Sequence, residues 1–113
     1  QVVVVPTVRE SDGLALSSRN VYLTAEERQA ALVLSRSLFL SRDLFERGER
    51  DADRIRAAMS EILGAEPAVK VDYVTVCDPD TLDELGRIEG RALVALAGRV
   101  GKTRLIDNVM LGE

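Results

Sequence analysis

From Thr24 to Leu63 the apolar residues of this chain recur at the three-and-four spacing of helices. From Val69 to Met110 they recur at strand spacing, and the change happens once. A chain that places its helices before its strands cannot build alternating βαβ units there. It is left with antiparallel strands and helices gathered on one face. The fold class expected is therefore α+β: a two-layer domain with a small three-stranded antiparallel sheet packed against two main helices.

The helix signals are local and chemical. Thr24 and Glu27 have the spacing of a capping box, in which each side chain satisfies the other's backbone N–H. The helix that follows is expected to reach about Arg47, with Gly48 as its left-handed stop. Ala31, Leu34, Leu38 and Phe45 form its apolar stripe, widened by Val33, Leu40 and Leu44. Arg28, Arg36, Arg42 and Glu46 fall on the wet side. Asp51 can cap a second helix running to about Leu63, with Ile55, Ala58, Met59 and Ile62 inward and Gly64 and Pro67 ending it.

Val69, Val71 and Tyr73 then alternate with Lys70 and Asp72, and Val74 and Val76 continue the run. The alternation slips at Tyr73–Val74, which predicts a bulge or twist there. Asp78-Pro79-Asp80 opens a polar segment with a short helical turn expected around Leu82 and Leu85. Ala92–Ala97 and Thr103–Met110 supply two more strands, and "GRVGKT" between them reads as a hairpin connection. It is not a Walker A loop: Leu96 stands where the first glycine belongs, and Thr103 leads into a strand.

Composition narrows the function. The 113 residues carry 15 basic and 19 acidic side chains, a formal net charge of −4, so no broad basic field invites nucleic acid. Histidine is absent, which removes His-based triads and Cys/His zinc sites from this chain. The one cysteine, Cys77, fits a reducing cytoplasm and a structural role. Asp51, Asp53, Asp78, Asp80, Asp83 and Glu84 lack the spacing of a calcium loop and read as solvated surface. No apolar run approaches the roughly 20 residues of a membrane helix.

Two stretches remain. Val2–Val5, closed by Pro6, reads as a strand buried on both faces, the kind found in parallel sheets. Nothing later supplies its partners, and the chain begins at Gln1, so a larger parent is expected. "TVRESDGLALSSRN", Thr7 to Asn20, ends in four consecutive polar side chains. One reading is a polar loop leading to Thr24. The other is an anion-binding loop, in which the Ser17 and Ser18 hydroxyls donate to phosphate oxygens and Arg19 forks onto them.

"PTVRESDGLALSSRNVYL", Pro6 to Leu23, resembles the signature that opens the C-terminal domain of the pantothenate synthetase (pantoate–β-alanine ligase) family. "VDYVTVCD" and "GKTRLIDNV" extend the resemblance over nearly the whole chain. Leu16 replaces the methionine often found before the serine pair, a volume-conserving exchange. The resemblance implies an ATP-dependent, AMP-forming ligase that joins pantoate to β-alanine through pantoyl adenylate, with Mg²⁺ accompanying the ATP. It implies that residues 1–7 end a nucleotide-binding domain and hinge, and that residues 8–113 form a lid. Ser17, Ser18 and Arg19 would hold the β- and γ-phosphates, Arg19 would act in catalysis, and Val8 and Leu16 would lie against the nucleotide. It further implies an N-terminal nucleotide-binding domain in the same chain, a homodimer of the full enzyme, and an isolated fragment without ligase activity. The competing reading is a non-catalytic interaction or dimerisation module that shares the fold.

Overall fold

The computed structural model describes residues 23–112, in which two helices precede three strands: α1 (Ala25–Glu46), α2 (Ala52–Gly64), β1 (Val69–Cys77), β2 (Ala92–Val100) and β3 (Thr103–Leu111). The strands form one antiparallel sheet in the order β1-β2-β3. Both helices lie on the same face, α1 against β2 and β3 and α2 against β1. This is the expected two-layer α+β arrangement. The Val2–Val5 strand lies outside the described residues.

α1 begins with the full capping box. Glu27 N–H donates to Thr24 Oγ1 at 3.1 Å, and Thr24 N–H donates to Glu27 Oε1 at 3.0 Å. It ends in a Schellman pattern: Gly48 N–H donates to the Phe45 carbonyl and Glu49 N–H to the Leu44 carbonyl. Gly48 sits at φ +105°, where a side chain would be strained. Burial on α1 goes beyond the predicted stripe to take in Leu32 and Ser35. The side chains of Ser35, Ser37 and Ser41 each donate to the carbonyl three residues back, so these buried hydroxyls are satisfied. Arg36, Arg42 and Glu46 face solvent, whereas Arg28 is half-buried. Asp51 caps α2 by accepting from Asp53 and Arg54 N–H.

The core joins Leu34 and Leu38 of α1, Ile55, Met59 and Leu63 of α2, and the inward side chains of the sheet, among them Val76, Val94, Leu96 and Leu105. The bulge falls between Val71 and Tyr73, with Asp72 the extra residue, one position ahead of the place the alternation suggests. Val69 and Val71 pair with Val100 and Gly98 before it, and Val74 and Val76 pair with Leu96 and Val94 after it. The inward set thus changes from odd to even numbers at Asp72.

The segment between β1 and β2 contains no helix. Leu82 N–H donates to the Asp78 carbonyl and closes a single turn, and the φ of +64° at Leu82 forbids its continuation as a helix. Isolated bridges Cys77–Glu84 and Asp51–Arg87 tie that loop to β1 and to the helix junction. The hairpin joining β2 and β3 is tighter than "GRVGKT" implies. Gly98, Arg99 and Val100 belong to β2, Val100 pairs with Thr103, and only Gly101 and Lys102 turn. The positive φ falls on Gly101 and not on Lys102, as in a type II′ turn.

Candidate functional site

Thr24 is the fixed end to which the Ser17–Asn20 stretch connects, and three features gather around it or along the neighbouring strand. The first is the tip of the β2–β3 hairpin. Gly101 rests on the Glu27 carboxylate so closely that a Cβ there would overlap Oε2 and stand 3.1 Å from Cδ. The last hairpin of the domain therefore braces the start of α1 from outside its own sequence neighbourhood.

The second is a basic row on the sheet face turned away from the helices. Lys70, Arg99 and Arg104 sit directly opposite one another on β1, β2 and β3. Like charges in such a row repel. Asp72, the bulged residue, answers them: Arg104 Nε donates to its Oδ2 at 2.8 Å, and Arg99 Nε lies 3.7 Å from the same oxygen. The Arg104 hydrogen bond, helped by the charges of both arginines against a desolvation that opposes them, holds the Asp72 carboxyl below its ordinary range. Beside this row, Tyr73 and Ile106 expose apolar surface around the buried Ala97.

The third is Asp107, only 4% exposed. Its position in β3 puts it on the helix-facing side, opposite Leu96 and in phase with Leu105 and Leu111. One of its oxygens accepts from the following Asn108 N–H at 2.7 Å. The sequence motifs do not single this residue out. A signal is present all the same: a carboxylate occupies an inward step of the Thr103, Leu105, Asp107, Val109, Leu111 alternation.

The opposite end of the sheet is held structurally. Arg56 of α2 donates to the carbonyls of Val76 and Leu85 and to the carboxylates of Asp53 and Glu84, and Glu84 also takes the Thr75 hydroxyl. The expectation of plain solvated surface is too simple for these acids; Glu84 and Asp53 are exposed yet tied to Arg56. Backbone N–H groups of Asp80 and Thr81 hold the Asp78 carboxyl below its usual range. Cys77 is buried, and that burial pushes its thiol up, which suits a structural cysteine. Among the described residues no group of three or more His, Cys, Asp or Glu could hold a metal, and no helix is long and apolar enough to cross a membrane. The site residues expected from sequence, Val8, Leu16, Ser17, Ser18 and Arg19, lie outside the described residues.

Comparison with known proteins gives this end of the domain its context. The family model described as Pantoate-beta-alanine ligase matches residues 1–110. The chain belongs to that family. Pantothenate synthetase of Pelotomaculum thermopropionicum is 53% identical over 113 residues, covering 100% of this chain and 40% of that protein. The pantothenate synthetase of Moorella thermoacetica is 55% identical over 111 residues, covering 98% and 39% respectively. The crystal structure of pantothenate synthetase from Thermus thermophilus matches with a TM-score of 0.87 at 45% identity, over 93% of this chain and 38% of that one. The chain therefore spans about 40% of the length of the pantoate–β-alanine ligase relatives it matches.

Proposed function

We propose that this chain is the C-terminal lid of an ATP-dependent, AMP-forming ligase that condenses pantoate with β-alanine. Residues 1–7 would close a nucleotide-binding domain and form the hinge, and residues 8–113 would cap the active site. The reading is carried by the family match over residues 1–110, which includes Ser17, Ser18 and Arg19.

The chemistry has two steps. A pantoate carboxylate oxygen attacks the α-phosphorus of ATP, the α–β phosphoanhydride bond breaks, and pyrophosphate leaves. The β-alanine amine then attacks the adenylate carbonyl and expels AMP, giving pantothenate. Charge grows on the departing pyrophosphate in the first step. Ser17 and Ser18 hydroxyls and the Arg19 guanidinium are donors suited to that charge, and Val8 and Leu16 flank the nucleotide. The braced start of α1 supports this role, because catalytic donors must be held and not merely present. Mg²⁺ would travel with the triphosphate; the described residues offer it no acidic ligand cluster. The full enzyme would work in the cytoplasm as a homodimer joined mainly through the first domain.

Arg19→Ala in the complete enzyme tests the assignment. Losing one leaving-group donor should slow ATP–pyrophosphate exchange by about a hundredfold, with KM for β-alanine changing by less than about twofold. Unchanged exchange would remove Arg19 from the adenylation step.

A further inference from the structure

Two patches of this domain set exposed apolar side chains among charges of opposite sign. On the outer sheet face Tyr73 and Ile106 stand on either side of the small Ala97, and Ile106 is 60% exposed. The outward positions of the three strands carry three bases, Lys70, Arg99 and Arg104, and one acid, Asp72. In the loop after β1 the signs are reversed. Leu82 is 51% exposed there, and residues 78–84 hold four acids and no base. We propose that Leu82 and its surrounding acids dock onto the Tyr73–Ile106 face of a second copy of this chain.

The pairing cannot close within one copy. The Cys77–Glu84 bridge fixes the loop at the last residue of β1, which lies about 23 Å along the strand from Lys70. Asp78 N–H to the Asp83 carbonyl, and Arg56 to the Glu84 carboxylate, hold the loop at that end. A second copy is under no such limit. The loop and the basic row occupy opposite ends of β1. Two sheets laid face to face with their strands reversed therefore bring each Leu82 to the other copy's Tyr73 and Ile106, and the same contact forms twice. That arrangement also sets acids against bases at both ends, whereas strands running the same way would set base on base. The backbone agrees. Leu82 at φ +64° occupies a conformation suited to glycine and gains little burial in its own copy, so the use of its side chain lies outside its own core.

The contact is separate from the joining through the first domain proposed above, and it is tested in the full-length enzyme. A water-soluble carbodiimide joins an amine to a carboxylate only where the two already touch. It should link Lys70 to one of Asp78, Asp80, Asp83 or Glu84, in a species of doubled subunit mass; the span along β1 forbids that link inside one copy. Leu82→Gly removes the apolar anchor and suits the left-handed backbone, so the fold is not weakened, and the yield of linked peptide should fall about fivefold or more. Ile106→Ser, on the opposite patch, should lower it to a similar extent. Raising NaCl from about 0.05 M to about 0.5 M should reduce the yield by about threefold, because the rim charges are screened. Three results would each overturn the proposal: no link from Lys70 to residues 78–84, links from Lys70 to acids elsewhere in the polypeptide instead, or a yield unchanged in both variants. The second of these would show that another segment covers the face.

Discussion

Replacing Gly101 with alanine tests the contact that braces the start of α1. Two costs are separable. Gly101 takes φ +60°, a region that costs an L-residue with a Cβ about 1–2 kcal/mol. The new methyl would also overlap Glu27 Oε2, and the same carboxylate accepts the Thr24 N–H through Oε1. The Glu27 side chain can swing away only by giving up its half of the capping box, a loss of about 1 kcal/mol. The sum is about 2–3 kcal/mol, or a fall in Tm of roughly 10 °C for a domain of this size. A double-mutant cycle measured by urea unfolding isolates the second cost. Glu27→Ala alone should cost about 1 kcal/mol, and adding Gly101→Ala should then cost only the backbone strain. The double variant should therefore be about 1 kcal/mol more stable than the two single effects summed. Strict additivity would mean that Gly101 and Glu27 do not interact, and the bracing argument would be wrong.

Two further outcomes follow from the ends of the sheet. Because Arg104 and Arg99 lower the folded-state pKa of Asp72 below its ordinary 3.8, this group contributes stability above that value and loses it as pH falls through the lowered one. The Tm difference between the protein and Asp72→Asn should accordingly shrink as pH is taken from about 5 to about 2.5; a constant difference would contradict the pairing. Arg56→Met should cost about 2 kcal/mol by leaving the Val76 and Leu85 carbonyls without their guanidinium donor, and hydrogen exchange should quicken in the 78–91 loop before it does in α1. Uniform quickening would show that Arg56 is no local clamp.

The parts of the fold that are legible in the sequence are those governed by neighbouring residues. Thr24 with Glu27, Asp51, and Gly48 announce the helix ends because their bonds span only two to five positions. The strand alternation survives because burial is one-sided. Sequence places the bulge one residue late because Asp72 and Tyr73 are both exposed, so their side chains alone do not say which is the extra one. Leu82 reads as part of a helical turn because an apolar pair three apart mimics that period; its left-handed backbone is set by the Asp78 turn and the Cys77–Glu84 bridge. At the candidate site the Ser-Ser-Arg run stands out as a motif. Asp107 and the seat of Gly101 on Glu27 do not, since both depend on which distant residues the folded chain brings alongside. The same holds for Arg56, whose acceptors Val76 and Leu85 lie 20 and 29 positions away.

The irregularity in β1 has one more implication. Removing Asp72 would leave Val69, Val71, Val74 and Val76 on the side they already occupy, in an unbroken ladder; of the other residues in the middle of β1, only the neighbouring Tyr73 could be lost without turning part of the strand inside out. The sheet could thus be made regular by a deletion that disturbs no packing. What would vanish is the carboxylate that Arg99 and Arg104 share. The domain tolerates an imperfect strand in order to keep a counter-ion of its own, stitched into the backbone, where salt or a partner could otherwise displace it.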